Sequence, residues 1–485
     1  RAETDSPPNI VFILADDLGF GDVGCYGASK VRTPNIDRLA REGRRFTDAH
    51  SPSSVCTPTR YNLLTGRYCW RTWAGTSCVW SSDPLLIQTD RLTLPALLKR
   101  HGYITACIGK WHLGFGHPDQ EGWDKALGPD YNRPLKPGPL EVGFDYLFGI
   151  PHVGQLPHVF IRNHEIVGRS PDRQIKLIPD KDPGYRLSYL QRPRAGKTPW
   201  HTFRGTEDFR YRHEDLAFRL TEEAVAWIDQ QTPKDRPFFL YFAHRNVHGP
   251  IKPNPRFQGT SEIGMYGDFV HELDWSVGQV LDALVRHGLR DNTVVLFSSD
   301  NGAVEKGYRP TDFVDYSGHR ANGPWRGQKT EIYEGGHRVP LIVRWPGRVR
   351  PDSESHQLVA LTDMLATTAE LMKEKLPEDA GEDSFSFLPA LLDRPANGPV
   401  RTAIVNDSYT GEMSIREGPW KLILAQHGGG ISARDKEPDT AQPPGQLFRL
   451  DQDPTESNNL YQVHPDRVKR LKQLLREIQE SGRSR

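Results

Sequence analysis

Short apolar runs recur along the chain without the alternation of a half-exposed strand: Ile10 to Ala15, Tyr103 to Ile108, Phe238 to Ala243, Thr293 to Ser299, and Leu341 to Trp345. A continuous run of this length predicts a strand buried on both faces. Between them lie stretches with helical spacing: Pro34 to Glu42 closed by Gly43, Asp215 to Gln231, Phe269 to His287 closed by Gly288, and Val359 to Met372. Strands alternating with helices predict an α/β fold, a large and mostly parallel sheet sandwiched by helices. After about Pro377 the texture changes to Pro-rich connections. Ser414 to Leu424 and Leu447 to Leu450 then predict short antiparallel strands, and Pro465 to Glu480 an amphipathic helix. The expected division is a large α/β domain over residues 1–376 and a smaller C-terminal α+β subdomain over 377–485.

Sheets of this kind bind ligands beyond the carboxyl ends of their strands. The residues that follow the apolar runs are therefore the first candidates for chemistry: Asp16 and Asp17, Lys110 and His112, His244 and His248, Asp300 and Asn301. Each has an ordinary reading. An aspartate after a strand commonly caps a turn, a histidine commonly sits in a core, and a lysine is commonly solvated. Their recurrence at successive strand ends favours metal binding and proton transfer instead.

Composition narrows the partners. Lys plus Arg and Asp plus Glu both number 62, so the formal charge is zero and no overall field favours nucleic acid or an anionic membrane. No apolar run approaches the roughly 20 residues needed to span a bilayer, and the polar start from Arg1 to Pro8 holds no signal-peptide core. The five cysteines, Cys25, Cys56, Cys69, Cys78 and Cys107, lack Cys-x-x-Cys spacing, which excludes a zinc cluster of that type. The spacing of Cys69 and Cys78 permits a bridge in an oxidising compartment without requiring one.

Cys56 stands apart from the other cysteines. It opens Cys56-Thr57-Pro58-Thr59-Arg60, which runs into a helical stretch, Tyr61 to Arg67, so that a group at position 56 faces the positive end of a helix. A lone buried cysteine is ordinarily a small hydrophobe. Here, however, Cys-x-Pro-x-Arg followed by Leu64-Thr65-Gly66-Arg67 resembles the type I sulfatases of the alkaline phosphatase superfamily. The resemblance extends to Pro8-Asn9-Ile10-Val11 through Asp16-Asp17-Leu18-Gly19, to Gly109-Lys110-Trp111-His112-Leu113-Gly114, to Ser299-Asp300-Asn301-Gly302, and to Gly327-Gln328-Lys329 through Glu334-Gly335-Gly336. Gly418-Pro419-Trp420-Lys421-Leu422 and Leu447-Phe448 to Asp453-Pro454 are similar to that family's closing subdomain.

The resemblance implies that Cys56 is oxidised to Cα-formylglycine by a formylglycine-generating or equivalent maturation enzyme, and that the aldehyde's hydrate attacks sulfur. It implies one Ca²⁺ ion held by Asp16, Asp17, Asp300, Asn301 and the modified residue 56, an oxygen-rich set suited to that cation. Arg60 would hold the hydrate, Lys110 would contact sulfate and residue 56, and His112 would be the base that releases sulfate. His248 and Lys329 would offset charge on the leaving oxygen, His248 as proton donor. His248 is preferred over His244 because Gly249-Pro250 follows it. Thr59 stands where the family often has Ser or Ala, and His337 and Arg338 receive no role. The loop-like segments Cys69 to Asp83, Phe115 to Arg133, Pro151 to Phe209 and Ala303 to Trp325 are rich in Trp, Tyr, His and Arg, which suits a sulfated carbohydrate, such as a galactose or N-acetylgalactosamine sulfate. A periplasmic or secreted location is expected with such a substrate. Competing expectations are a phosphate or phosphonate monoester hydrolase on the same scaffold, and a non-catalytic protein that binds sulfated glycans.

Overall fold

The computed structural model describes residues 7–485 except 125–127, 155–156, 171, 173–174, 180–200, 205–209, 232–235, 306–316, 396–397, 431–432 and 434–438. Parts of the predicted Pro151 to Phe209 and Ala303 to Trp325 loops lie outside the described residues. Where the first of these is described, it carries the short strands Ile161–Arg162, Glu165–Ile166, Lys176–Pro179 and His201–Arg204 rather than loop alone.

The main sheet has the strand order Ser353–Ser355, Arg44–Phe46, Leu341–Arg344, Thr293–Ser299, Asn9–Ala15, Phe238–Ala243, Ile104–Lys110, Tyr146–Ile150, Ile161–Arg162, Glu165–Ile166. The centre is parallel: Asn9–Ala15 pairs with Phe238–Ala243 on one side and Thr293–Ser299 on the other, and Ile104–Lys110 extends it. Leu341–Arg344 runs antiparallel to the centre, as does Ile161–Arg162 near the opposite margin, where each short strand pairs antiparallel with the one before it, so the sheet is mixed, as a large mostly parallel sheet commonly is at its margins.

The unbroken apolar run of the first strand follows from its position. Ile10, Phe12 and Leu14 point into one core, shared with Leu63 and Leu64 of the Cys56–Thr65 helix and with Met364 and Leu365. Val11, Ile13 and Ala15 point into the other, shared with Phe269, Leu273 and Val277 of the long Gly264–Arg286 helix. A period-2 strand with two apolar partners has no polar face to show.

Val359 to Met372, predicted as one helix, is divided. Val359–Ala360 pairs with Ala49–His50 as a short strand, a 3₁₀ turn covers Leu361–Asp363, and the α-helix covers only Met364–Leu371. The Asp363 carboxylate accepts the Ala360 N–H at 2.8 Å, which fixes the break. The predicted Tyr103 to Ile108 strand also shifts, to Ile104–Lys110, and so carries Lys110 on its last position.

The C-terminal part forms a four-stranded antiparallel sheet, Ala403–Asp407, Met413–Glu417, Trp420–Ile423 and Gln446–Arg449. The Pro465–Glu480 helix lays Val468, Leu471, Leu475 and Ile478 against Val405, Ile415, Leu422 and Leu447. Leu471 and Leu475 are essentially fully buried, each contributing about 2 kcal/mol of apolar burial.

Candidate active site

The parallel register brings the chemical residues to one edge. Ala15 lies opposite Ser299, Leu14 opposite Ala243, and Ala243 opposite Gly109. The chain therefore leaves adjacent strands as Asp16, Asp300, His244 and Lys110 at one height. Gly109 has to be glycine: its φ is 121° and a Cβ would stand 1.9 Å from the Ala243 carbonyl oxygen. Two non-glycine residues just beyond the strands, Asp17 (φ 61°) and His112 (φ 58°), sit in the left-handed region, a local strain common where side chains are aimed at a ligand.

Asp16 is fully buried and accepts both contacts of the Lys110 ammonium, at 3.1 and 2.8 Å. Asp17 accepts from Lys329 Nζ at 2.7 Å and from Asn301 Nδ2 at 2.8 Å. His248 Nε2 lies 3.8 Å from Asp17 Oδ2. Asp300 accepts the Asp17 backbone N–H at 3.2 Å, and its other oxygen takes Arg60 Nε and Nη2 at 3.0 and 2.7 Å. Arg60 also donates to the Lys110 carbonyl at 3.0 Å. Its guanidinium thus fastens a candidate metal carboxylate to the lysine strand. Burial and the neighbouring charge of Asp16 raise the Asp300 carboxyl to about 6. Burial alone would lower Lys110, but Asp16 and the Cys56 sulfur hold it above its usual value, so it stays charged.

Cys56 is the first residue of its helix, where the leading backbone N–H groups lack intrahelical partners. Its thiol is drawn well below the ordinary cysteine value by a hydrogen bond from Cys78, and further by Lys110, Lys329 and His112, against the opposing effect of burial. One donor atom from each of Asp16, Asp17, Cys56 and His248 lies within 4.8 Å of the others. Asn301 Oδ1 is buried without a hydrogen-bond partner. Carboxylate oxygens brought together in a buried site, with an unsatisfied amide oxygen on a residue bonded to one of them, fit a hard divalent cation.

The two histidines at the site differ in use. Burial, and then Lys110, lower His112 to about 3, while the neighbouring Cys56 sulfur pulls it upward, so it is a neutral imidazole, and both its ring nitrogens are buried without a hydrogen bond of ordinary geometry. His248 retains 20% side-chain exposure and hydrogen-bonds the Gly249 carbonyl through Nδ1 at 2.6 Å, leaving Nε2 toward Asp17 and the opening. His244 is fully buried, paired with Ser276 Oγ at 3.1 Å and with the Asn246 N–H at 3.1 Å, and so belongs to the scaffold.

Sequence reasoning missed His152 and the placement of Cys78. His152 packs edge-on against His112 with ring centroids 3.9 Å apart and stacks on Trp80 at 5.7 Å. No motif marks it; only the Tyr146–Ile150 strand, which ends just before it, could have pointed there. Cys78, considered from its spacing as a partner for Cys69, instead lies beside Cys56, while Cys69 contacts Thr72 and all five cysteines are free thiols.

Comparison with known proteins decides the family. Residues 8–374 match the Sulfatase family model. An N-acetylgalactosamine-6-O-sulfatase of Bacteroides thetaiotaomicron is 37% identical over 99% of this chain and 94% of its own length. The chain belongs to the sulfatase family. An N-acetylgalactosamine-6-sulfatase of Rattus norvegicus is 31% identical over 99% of the chain and 87% of its own length. A structure solved in work on the metabolism of multiple glycosaminoglycans by Bacteroides thetaiotaomicron superposes with a TM-score of 0.85 at 36% identity, covering 97% of this sulfatase and 99% of that chain. The sulfatase is therefore a sulfuric ester hydrolase on an alkaline phosphatase-like fold. Among its described residues no helix is long and apolar enough to cross a membrane.

Proposed function

We propose that this sulfatase removes the 6-O-sulfate of an N-acetylgalactosamine or galactose unit in a sulfated glycan, outside the cytoplasm, with residue 56 as formylglycine and one Ca²⁺ ion. The names of the relatives that match across nearly the whole chain support the sugar and the position. The observation that carries the chemistry is the convergence of donor atoms from Asp16, Asp17, Cys56 and His248 within 4.8 Å, at a helix start flanked by two buried lysines. In this reading residues 1–376 hold the chemistry and 377–485 form a closing subdomain.

Asp16, Asp17, Asp300, Asn301 and residue 56 would hold the ion. When present, the ion withdraws charge from the sulfate oxygens and the hydrated aldehyde supplies the oxygen nucleophile. The chain's own residues do the rest. Lys110 and Lys329 place two ammonium groups in a pocket of low dielectric, where they offset the charge of a sulfate ester far better than in water. Arg60 acts through Asp300 and the Lys110 carbonyl, holding the carboxylate and the lysine in register. His112, neutral and unpartnered, takes the proton at position 56 as sulfate departs. His248, oriented by its bond to the Gly249 carbonyl, presents Nε2 at the opening and gives a proton to the sugar oxygen.

The test is release of free sulfate from 6-sulfated and 4-sulfated N-acetylgalactosamine, beside an aryl phosphate, with peptide mass spectrometry of residue 56. Aldehyde at 56 and preferential release from the 6-sulfated sugar are expected. Faster phosphate release would assign a phosphomonoesterase, and binding of sulfated sugars without release by aldehyde-bearing protein would assign a binding module.

A further inference from the structure

The Pro465–Glu480 helix carries charge that the catalytic reading leaves unused. Its buried stripe, Val468, Leu471, Leu475 and Ile478, lies on the C-terminal sheet. On one flank of that stripe Arg467 and Arg470 both close on Glu417, Arg470 through Nε at 2.9 Å. On the other flank the i, i+3, i+4, i+7 spacing brings Pro465, Val468, Lys469 and Lys472 to one face, with Arg476 one turn further on. Together with Tyr461 these residues line a surface hollow of about 250 Å³.

The hollow is built as well as charged. Lys472 Nζ donates to the Tyr461 hydroxyl at 2.7 Å and stands 5.3 Å from the ring centroid, so the ammonium is held against the wall instead of ranging through solvent. The ring itself is seated, because a Cβ on Gly445 would stand 2.8 Å from Tyr461 Cε2 and glycine there lets the ring close onto the chain. Arg476 Nη2 donates to the neutral Gln473 amide at 2.9 Å, and Lys469 is exposed. No acidic side chain lines the hollow, and among the described residues no carboxylate pairs with any of its three cations. Basic and acidic residues balance at 62 each over the whole chain, so this uncompensated charge is a local feature and not part of a generally basic surface. A helix rises about 1.5 Å per residue, which sets Lys469 and Arg476 about 10 Å apart along the axis with Lys472 between them. A single small anion engages one or two of these groups, whereas a linear polymer with anionic groups at intervals engages all three.

We propose that this hollow is a second, non-catalytic binding site for a sulfated glycan chain, whose sulfate groups are held by Lys469, Lys472 and Arg476. None of these residues belongs to the catalytic site. Anchoring the polymer on the C-terminal subdomain raises the local concentration of its sulfate esters around the enzyme and leaves the chemical step unchanged. The choice of a sulfated glycan over other polyanions rests on the function proposed above; the charge complementarity does not.

The experiment compares the aldehyde-bearing wild-type chain with a variant carrying Lys469→Gln, Lys472→Gln and Arg476→Gln together, on a 6-sulfated N-acetylgalactosamine polysaccharide and on the corresponding monosaccharide. The variant is expected to lose about tenfold in kcat/KM on the polymer and nothing on the monosaccharide, and the wild-type advantage on the polymer is expected to shrink between about 0.05 and 0.3 M salt. Binding of the same polymer to Cys56→Ala protein, with and without the three substitutions, reads the site independently of turnover; about tenfold weaker binding is expected with them, and a similar loss when the polymer is desulfated. Lys469→Glu, a single change at an exposed side chain, is expected to act in the same direction and serves should the triple variant unfold more readily. Equal losses on polymer and monosaccharide, or polymer binding that neither variant weakens, would overturn the proposal. RNA or anionic phospholipid vesicles bound through these residues as tightly as the glycan would overturn the assignment to a glycan. Failure of the wild-type chain to release sulfate from the monosaccharide would count against the function proposed above, while the binding measurement still decides the second site.

Discussion

The buried charge around Cys56 and the buried charge where the C-terminal sheet meets the main body are built on opposite terms. In the second, Asp48 accepts from Arg338 and Arg416, each at 2.7 Å, Glu334 accepts from Arg338 at 3.0 Å, and Lys421 reaches Glu334 at 3.0 Å and Glu456 at 2.9 Å. His50 and His337 meet through Nδ1 atoms 3.0 Å apart, with Lys421 3.1 Å from His337 and Asp48 3.0 Å from His50. Burial would raise Asp48, but Arg338, His50 and Arg416 hold it below the usual carboxylate range. The histidines and Glu334 form another geometrically possible metal group, yet here the Lys421 ammonium already supplies the positive charge. Around Cys56, by contrast, Asn301 Oδ1 and both nitrogens of His112 are left without partners. In the second cluster Glu456 Oε1 also lacks a hydrogen bond, but Lys421 faces it as an ion pair. Buried polarity met by opposite charge joins parts of a fold, whereas buried neutral donors and acceptors left open at strand ends are available to a ligand.

Substitutions can break that contrast. Cys56→Ala is expected to lower sulfate release by at least about 10⁴-fold with little change in unfolding midpoint, since removal of a covalent nucleophile usually costs that much. Substantial residual activity would place the nucleophile elsewhere. In the closed cluster the effect reverses: Lys421→Met leaves Glu456 buried without its cation and Glu334 with Arg338 alone, a cost of about 3–5 kcal/mol in urea unfolding. An unchanged midpoint would show that the network contributes nothing to holding the C-terminal sheet. Loss of a proton donor is smaller than loss of a nucleophile, and His248→Gln is expected to reduce kcat about a hundredfold for a sugar sulfate. The loss should be much less for an aryl sulfate with an acidic phenol, which needs little help to leave; equal losses on both substrates would remove His248 from that role.

The smallest expected effect is on pH dependence. Burial lowers both His50 and His337 below the ordinary histidine value, although Glu334 and Asp48 pull His50 upward and Lys421 adds to the lowering of His337. A depressed folded pKa means the unfolded chain binds more protons once the pH falls below the unfolded value. The stability these groups contribute is therefore present above about pH 6.5 and is lost on acidification, by roughly 1 kcal/mol per histidine by about pH 5.5. Urea midpoints across that range, compared with His337→Gln, measure it. A midpoint that rises on acidification would contradict the neutral pairing.

Much of this was legible in the chain. The runs Phe238–Ala243 and Thr293–Ser299 and the helix Pro465–Glu480 appear within the bounds their patterns predicted, because a strand with two apolar partners and a helix with one buried stripe must repeat in those periods. Short strands near the sheet margins, such as Arg44–Phe46 and Ile161–Arg162, were not, since two or three residues carry no period and are made by their neighbours. The division of Val359–Met372 was also hidden, because it depends on Asp363 turning back to Ala360.

Local order along the chain determined which residues stand at strand ends, that Cys56 opens a helix, and that His248 rather than His244 is followed by Gly-Pro. Only tertiary structure decided that Lys110 and Lys329 rest on different aspartates, that Arg60 is spent on Asp300, that His152 backs His112, and that Cys78 meets Cys56 rather than Cys69. The reason is physical: a strand-end position follows from periodicity within a few residues. A contact between side chains far apart in sequence is fixed by how distant segments pack, and no local pattern encodes that distance.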